Sequence, residues 1–242
     1  MSRRTKFRSI TAFAMAAMMA VSLLSTAVSA AAGELKAPDA KTSISAYVEA
    51  MQPGWNLGNT LDATGDDETS WGNPRVTKEF IQQIAAEGYK SIRIPVTWGQ
   101  HMGEAPNYTI DPAYMDRVQE VVGWALDADL YVMINMHHDS WQWISYMESN
   151  HDEVLAKFSA AWTQIADLFK NHSEKLMFEA INEPRFTDGG TTDKEKQYEM
   201  LKELLVSFHK IVRASGGENG VRPPGYPYTR NLTGPGRPGC AV

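Results

Sequence analysis

Leu176-Met177-Phe178-Glu179-Ala180-Ile181, followed directly by Asn182-Glu183-Pro184, is the stretch that decides the fold of this chain. The run is mostly apolar, as expected for a buried strand, and a carboxamide and a carboxylic acid stand at its C-terminal tip. In a (β/α) barrel the reacting groups lie at this end of the strands. The stretch therefore predicts a barrel strand that carries a catalytic acid, Glu183.

Three similar runs precede this strand, and segments with helical spacing of apolar residues separate them. The predicted strands are Gly54–Asn59, Ser91–Val96, Tyr131–Met136 and Leu176–Ile181, and the predicted helices are Lys78–Glu87, one beginning at Asp111-Pro112, Val154–Phe169 and Lys194–Val212. A doubly wound sheet is the rival, but its glycine fingerprint is missing after the first strand. We predict an α/β fold of the (β/α)8 TIM-barrel family, with about the first four βα units present in this chain.

The N-terminus has the composition of an export signal. Basic residues between Arg3 and Arg8 precede an apolar segment, and Val28-Ser29-Ala30 offers a cleavage site. We expect residues 1–30 to be a signal peptide, residues 31–43 a linker, and the mature protein to be secreted and free of the membrane. An uncleaved membrane anchor is the alternative.

The overall composition excludes some classes of protein. The net charge is -6 with acids and bases interspersed, so nothing suggests nucleic-acid binding. Cys240 is the only cysteine, which rules out an intrachain disulfide.

Residues 221–242 differ in character from the rest, because proline and glycine dominate and no periodic pattern continues. A fifth strand is expected near Arg222 and is not there. We expect the chain to be truncated or frame-shifted after about residue 220, which leaves residues 44–220 as the N-terminal half of a catalytic barrel. A natural flexible tail is the alternative.

Glu183 has the position of an acid/base in glycoside cleavage. It would protonate the leaving oxygen and then deprotonate the attacking water, in a partly buried site. Asn182 would bind the sugar 2-hydroxyl. The alternative is a strand-end glutamate paired with a neighbouring base. One interpretation of Arg93 is a base of the barrel core that pairs with Glu179. We interpret Glu179 as a buried structural acid, and the nucleophile is the alternative role for it.

Four motifs at strand ends together resemble glycoside hydrolase family 5, and within it the bacterial endo-β-1,4-glucanases. They are Gly54-Trp55-Asn56-Leu57-Gly58-Asn59, Ile92-Arg93-Ile94-Pro95-Val96-Thr97-Trp98, Asn135-Met136-His137-His138-Asp139 and Phe178-Glu179-Ala180-Ile181-Asn182-Glu183-Pro184. The resemblance implies a retaining mechanism without metal or cofactor, acting on a β-glucan such as cellulose. Mannan and xyloglucan stay open as substrates.

The resemblance also implies roles for particular residues. Arg93 would orient the nucleophile, His137 would line the −1 subsite, and Asn182 and Glu183 would act as described above. The family further uses a histidine and a tyrosine on the sixth strand, a glutamate nucleophile on the seventh and a tryptophan on the eighth. None has a matching position here, so we expect the chain to supply one carboxyl of the catalytic pair and no nucleophile.

The remaining candidates are groups that could contact a glycan. We expect substrate contacts from His138, Asn56, Trp71, Trp141 and Trp143, whereas Trp124 and Trp162 fall in helical stripes and belong to the core.

Two other classes of function stay open. One is a non-catalytic glycan-binding protein, and the other is a metal-dependent hydrolase using His137, His138, Asp139 and Glu183. Adjacent histidines on an extended chain point in opposite directions, so we expect no metal site.

Overall fold

Four βα units follow one another in the computed structural model, which describes residues 44–186 and 191–216. The elements are α1 (Ile44–Ala50), β1 (Gly54–Asn56), α2 (Lys78–Ala86), β2 (Ser91–Ile94), α3 (Pro112–Asp127), β3 (Tyr131–Asn135), α4 (Asp139–Gln142), α5 (His151–Phe169), β4 (Leu176–Glu179) and α6 (Lys194–Ala214), with 3-10 turns at Gly99–His101 and Ile144–Tyr146. The predicted signal peptide, linker and proline-rich tail lie outside the described residues. None of the helices in the described ranges combines the length and apolar character needed to cross a bilayer.

The four strands form one parallel sheet in the order β1-β2-β3-β4, which confirms the predicted arrangement. Each strand ends earlier than predicted, because the chain turns into a loop at its C-terminal end. Backbone hydrogen bonds nevertheless continue past the strands, from Leu57 N to Arg93 O and from His137 N to Val96 O, both at 2.8 Å. Asn182 N likewise donates to Met136 O at 2.8 Å. The residues just beyond the strands are therefore fixed against one another.

The two faces of the sheet have different surroundings. Ile92, Ile94, Val132 and Ile134 are fully buried, and they belong to one hydrophobic core with the helices. Arg93, Tyr131 and Met133, which alternate with them, are only partly buried. Strand alternation thus separates an apolar face under the helices from a face that carries polar groups.

Helix α5 supplies three of the largest side chains of the core. Phe158, Trp162 and Phe169 are fully buried, and the Trp162 ring lies 4.6 Å from that of Phe208 on α6. The predicted core role of Trp162 is confirmed. Trp124 is partly buried against the same core, with the guanidinium of Arg117 5.1 Å from its ring centre.

Local signals in the sequence define the helix ends. Thr77, Asp111 and Asp193 each accept a hydrogen bond from a backbone N–H in the first turn of the helix that follows. Pro112 occupies the first turn of α3, where its missing N–H costs nothing. Gly88 follows α2 with φ of 97°, a conformation that glycine adopts without strain.

A buried ion pair fastens the long loop between β1 and α2 to helix α3. Glu68 Oε1 accepts from Arg117 Nη2 at 2.7 Å, and Glu68 Oε2 accepts from Arg117 Nε at 2.9 Å. The same guanidinium donates to Val76 O, while Val76 N donates to Glu68. Both side chains are more than nine-tenths buried. The pair holds the loop in place because each charge satisfies the other away from water.

We expect Glu68→Ala to lower the free energy of unfolding by about 3–5 kcal/mol, because it leaves the buried Arg117 charge without its main partner. Glu120→Ala is the matched control, since Glu120 pairs with the same guanidinium but is 48% exposed. Its loss should cost less than about 1 kcal/mol. Urea unfolding of the three proteins measures both effects. Equal losses in the two variants would contradict the assigned role of Glu68.

Candidate active site

Arg93 on β2 connects the ends of three strands. Its Nε and Nη2 donate to the two carboxylate oxygens of Glu179 on β4 at 2.7 and 2.9 Å. Nη2 also donates to Asn182 Oδ1 at 3.0 Å, and Nη1 donates to Asn56 Oδ1 at 3.0 Å. The predicted pairing of Arg93 with Glu179 is confirmed. Glu179 is only partly buried, with 29% of its side chain exposed.

Asn135 at the end of β3 orients His137. Its Oδ1 accepts from Val96 N at 3.1 Å, which points its amide nitrogen toward His137 Nδ1 at 3.0 Å. His137 Nδ1 must therefore accept a hydrogen bond, and the proton of the neutral ring resides on Nε2. Burial, and then the neighbouring His138, lower the pKa of His137 to about 4 despite opposing attraction from Asp62. The ring is neutral at pH 7.

His138 lies beside His137, and the two rings approach to 4.5 Å. His138 Nε2 is 3.5 Å from Asp62 Oδ2, and His137 Nε2 is 3.9 Å from the same oxygen. The expectation that the two histidines point in opposite directions is wrong. His138 has helical backbone angles and directly precedes α4 as its N-cap, so the chain is no longer extended there.

Asp62, His137 and His138 are close enough together to suggest a cation site. Their hydrogen bonds disfavour it. A histidine that binds a metal through Nε2 carries its proton on Nδ1 and donates it to an acceptor. Here both Nδ1 atoms face donors, Asn135 Nδ2 and Trp141 Nε1. Metal binding would place N–H groups against N–H groups in both cases.

Asp139 lies apart from this cluster and has a structural role. It is fully buried and accepts from Trp98 N, Gly99 N and Trp143 Nε1. Burial raises its pKa, although the three hydrogen bonds oppose the shift. Trp143 is anchored by this bond, and Lys157 Nζ lies 4.8 Å from the centre of its ring. The structure thus places Trp143 against charged and buried groups, unlike the exposed indoles expected of a glycan platform.

Trp71 and Trp141 are the more exposed indoles near the site, with 42% and 50% of their surfaces open. The Trp71 ring lies 5.0 Å from the His138 ring, and Trp141 Nε1 donates to His138 Nδ1 at 2.9 Å. Trp71 Nε1 is held by Thr64 O at 3.1 Å. Trp71, His138 and Trp141 form one surface, which we call the aromatic wall.

Glu183 lies just beyond β4 and is held in a strained backbone conformation. Its φ is 40°, which a non-glycine residue rarely adopts. Asn182 is fixed on one side by Arg93 and Met136, and Phe186 is buried on the other. The expectation of a partly buried carboxyl is wrong for the described chain, since 70% of the side chain is exposed. Its carboxylate accepts from Arg185 Nη2 at 3.3 Å, and no strand covers it among the described residues.

Sequence reasoning missed two residues that organise the site. Asn135 belongs to the motif Asn135–Asp139, and its position at the end of β3 is the signal that identifies it. Asp62 lies in an irregular loop between Leu61 and Ala63, where no periodic pattern operates. Nothing in the local sequence distinguishes Asp62 from the exposed acids that follow it.

The chain belongs to the cellulase family, glycosyl hydrolase family 5, whose family model matches residues 57–237. Endoglucanase B of Paenibacillus lautus is 70% identical over 183 residues, which cover 75% of this chain and 32% of that protein. Endoglucanase B of Clostridium cellulovorans is 42% identical and covers 72% of this chain and 40% of its own length. The fold agrees with the (β/α) barrel prediction.

A solved structure gives the same result. The trimodular endo-β-1,4-glucanase B of Bacillus halodurans superposes with a TM-score of 0.71 at 56% identity, covering 74% of this chain and 34% of that one. This chain therefore spans about a third of the length of that enzyme and of the Paenibacillus lautus relative.

The lowered pKa of His137 makes a prediction about stability. Because the folded pKa of about 4 lies below the unfolded value of 6.5, only the unfolded chain takes up this proton as pH falls from 6.5 to 4. Stability is therefore lost in that window. Between pH 7 and 4.5, we expect the unfolding free energy of the wild type to fall by about 2–3 kcal/mol more than that of His137→Asn. Urea titrations at the two pH values measure the difference.

His151→Asn is a control variant for which the pH dependence of stability should have the opposite sign. Hydrogen bonds to Asp152 and Glu203 raise the pKa of His151, so its contribution is present at low pH and lost as pH rises. The His151 variant should therefore lose more stability at pH 4.5 than at pH 7. A His137 variant whose pH dependence matches the wild type would show that His137 is not held neutral by the fold.

Proposed function

We propose that this protein acts in the hydrolysis of internal β-1,4-glycosidic bonds of cellulose or related β-glucans. The observation that carries the proposal is the Arg93 network, which brings Asn56, Glu179 and Asn182 together beside Glu183 in a chain of glycosyl hydrolase family 5. The chemistry is that of a retaining glycosidase, which needs two carboxyl groups and neither metal nor cofactor.

Glu183 is the acid/base of the proposed reaction. It gives its proton to the leaving glycosidic oxygen and then removes one from the attacking water. Asn182 presents its amide nitrogen to the 2-hydroxyl of the sugar, because Arg93 occupies its oxygen. His137 contributes an Nε2–H donor to the sugar beside the scissile bond. Strain in the backbone of Glu183 supports a functional role, since such conformations cluster at active sites.

The second carboxylate of the pair comes from outside residues 44–186 and 191–216 in this proposal. Glu179 is the other acid at the end of β4, but both of its oxygens are bonded to Arg93. A nucleophile must be free to attack the sugar about 5 Å from the acid/base. Arg93 and Glu179 therefore act as a support on which a nucleophile would be oriented.

The aromatic wall is the proposed binding surface for glucose units beyond the scissile bond. Indole faces stack on sugar rings, and Trp71 and Trp141 leave theirs exposed. Asn56 contributes a polar contact from the same end of the sheet, and His138 supports the Trp141 indole through its Nδ1 atom. A solved family 5 endo-β-1,4-glucanase from Bacillus licheniformis, 47% identical to this chain with a TM-score of 0.63, was crystallised with cellotetraose.

Xyloglucan is the second candidate substrate. A family 5 xyloglucanase from Paenibacillus pabuli is 40% identical and superposes with a TM-score of 0.67, covering 71% of this chain and 50% of its own. Comparison of turnover on cellulose and xyloglucan distinguishes the two substrates. A non-catalytic glycan-binding protein would bind both without turnover.

We further propose that the protein is secreted, with residues 1–30 removed as a signal peptide and residues 31–43 linking to the barrel segment of residues 44–220. The basic, apolar and small-residue order of the first thirty positions supports this. N-terminal sequencing of protein recovered from culture medium should begin at Ala31. Recovery only from the membrane fraction with an intact N-terminus would favour an anchor.

Glu183→Gln tests the catalytic role. The variant keeps the shape of the side chain but removes its proton, so we expect turnover of carboxymethyl-cellulose to fall by about 10²–10⁴-fold. The assay uses a fusion in which this chain through Gly216 continues into the remaining barrel of the Bacillus halodurans enzyme. Reducing-sugar release by the unfused 242-residue chain should not exceed that of its own Glu183→Gln variant.

Glu87→Gln is the control for this assay, because Glu87 caps α2 at the opposite end of the sheet. Its turnover should equal that of the parent fusion. Undiminished activity in the Glu183→Gln fusion would remove Glu183 from the mechanism. Activity of the unfused chain that depends on Glu183 would show that a second carboxylate is already present in it.

A further inference from the structure

A buried carboxylate lies behind the aromatic wall, and no role above accounts for it. Asp62 is only 2% exposed and comes from the loop that follows β1. Its Oδ1 accepts from Thr60 N at 2.9 Å, which fixes the orientation of the group and leaves Oδ2 facing His138. Thr97 Oγ1 donates to Asp62 O at 2.9 Å and accepts from His138 N at 3.2 Å. Asp62 and His138 are thus joined through the backbone as well.

One ring nitrogen of His138 faces a hydrogen-bond donor, and the other faces an acceptor. Nδ1 accepts from the indole N–H of Trp141, a group that can only donate. The proton of the neutral ring must then lie on Nε2. That atom is buried, has no hydrogen-bond partner within the described ranges, and lies 3.5 Å from Asp62 Oδ2. A small shift of either group completes an N–H···O bond to a carboxylate.

We propose that Asp62 is a positioning residue, which holds His138 as the Nε2–H tautomer and thereby holds Trp141 in the aromatic wall. The opposite tautomer would place a proton on Nδ1 against the Trp141 N–H and push the indole away. Asp62 thus acts on an exposed ring through a histidine that separates them. The effect on glucan affinity rests on the proposed function, whereas the effect on the tautomer does not.

The first test observes the histidine nitrogens directly. The chain contains six histidines, so ¹⁵N-histidine labelling with long-range ¹H–¹⁵N correlation at pH 7 gives a countable spectrum. His138→Asn identifies the signals of His138 by their loss. We expect His138 to be protonated on Nε2 in the wild type. In Asp62→Asn the new amide would direct N–H groups at Nε2–H, so both the His138 signals and the Trp141 indole N–H should shift.

The second test measures binding of cellotetraose by calorimetry. Asp62→Asn should weaken binding by about tenfold, the loss expected when one anchoring hydrogen bond is removed. His138→Asn offers an oxygen near the position of Nδ1 and should bind cellotetraose more tightly than His138→Ala, which leaves the Trp141 N–H without its acceptor. Asp66→Asn is the control, an exposed acid of the same loop, and should bind like the wild type.

Several results overturn the inference. They are a wild-type His138 protonated on Nδ1, an Asp62→Asn spectrum identical to the wild type, and Zn²⁺ binding that shifts His137 and His138 together and is lost in Asp62→Asn. If Asp62→Asn does not fold, the proposal is still tested by the tautomer of His138 in the wild type and by the difference in cellotetraose affinity between His138→Asn and His138→Ala. Absence of cellotetraose binding by a wild type with the expected tautomer would count against the proposed function and leave the positioning role supported.

Discussion

The bidentate ion pair between Arg93 and Glu179 is the interaction on which the rest of the site depends. Backbone hydrogen bonds hold the strand ends together, but they leave the polar side chains there free to point in different directions. Arg93 prevents this by bonding Glu179 and Asn182 from β4 and Asn56 from β1. A planar guanidinium suits this task because its donors are fixed in one plane. Lysine, with one flexible ammonium, would not hold three partners in a defined arrangement.

A second layer of polar groups extends this order away from β4. Asn135 contacts both Glu179, at 3.4 Å, and His137, at 3.0 Å, so the ion pair and the histidine share one orienting amide. His138 follows, with Asp62 behind it and the aromatic wall in front. The proposed acid/base stands at one end of this series and the proposed sugar platform at the other. In this series, buried polar side chains set the positions of the exposed ones. Such an arrangement is needed if a flexible glycan is to be held against an acid of fixed position.

Sequence patterns predicted the regular elements and the site residues that stand directly at strand ends. Apolar periodicity and helix caps located the four βα units, and strand alternation with the motif at Arg93 predicted its pairing with Glu179. Patterns failed where the chain leaves regular structure. The expectation of opposed histidines assumes an extended chain at His138, whereas His138 caps a helix and has helical backbone angles. Asp62 and the exposure of Glu183 depend on contacts between distant segments, which a local period does not encode.

The central claim is that Arg93 and Glu179 act as one unit that orders the strand ends. A double-mutant cycle tests it most directly, with Arg93→Met, Glu179→Gln and the double variant compared by urea unfolding. We predict a coupling free energy above about 1 kcal/mol, because each single change leaves the other charge partly buried without its partner. Additive losses, with a coupling near zero, would show that the two residues contribute independently and would contradict the account.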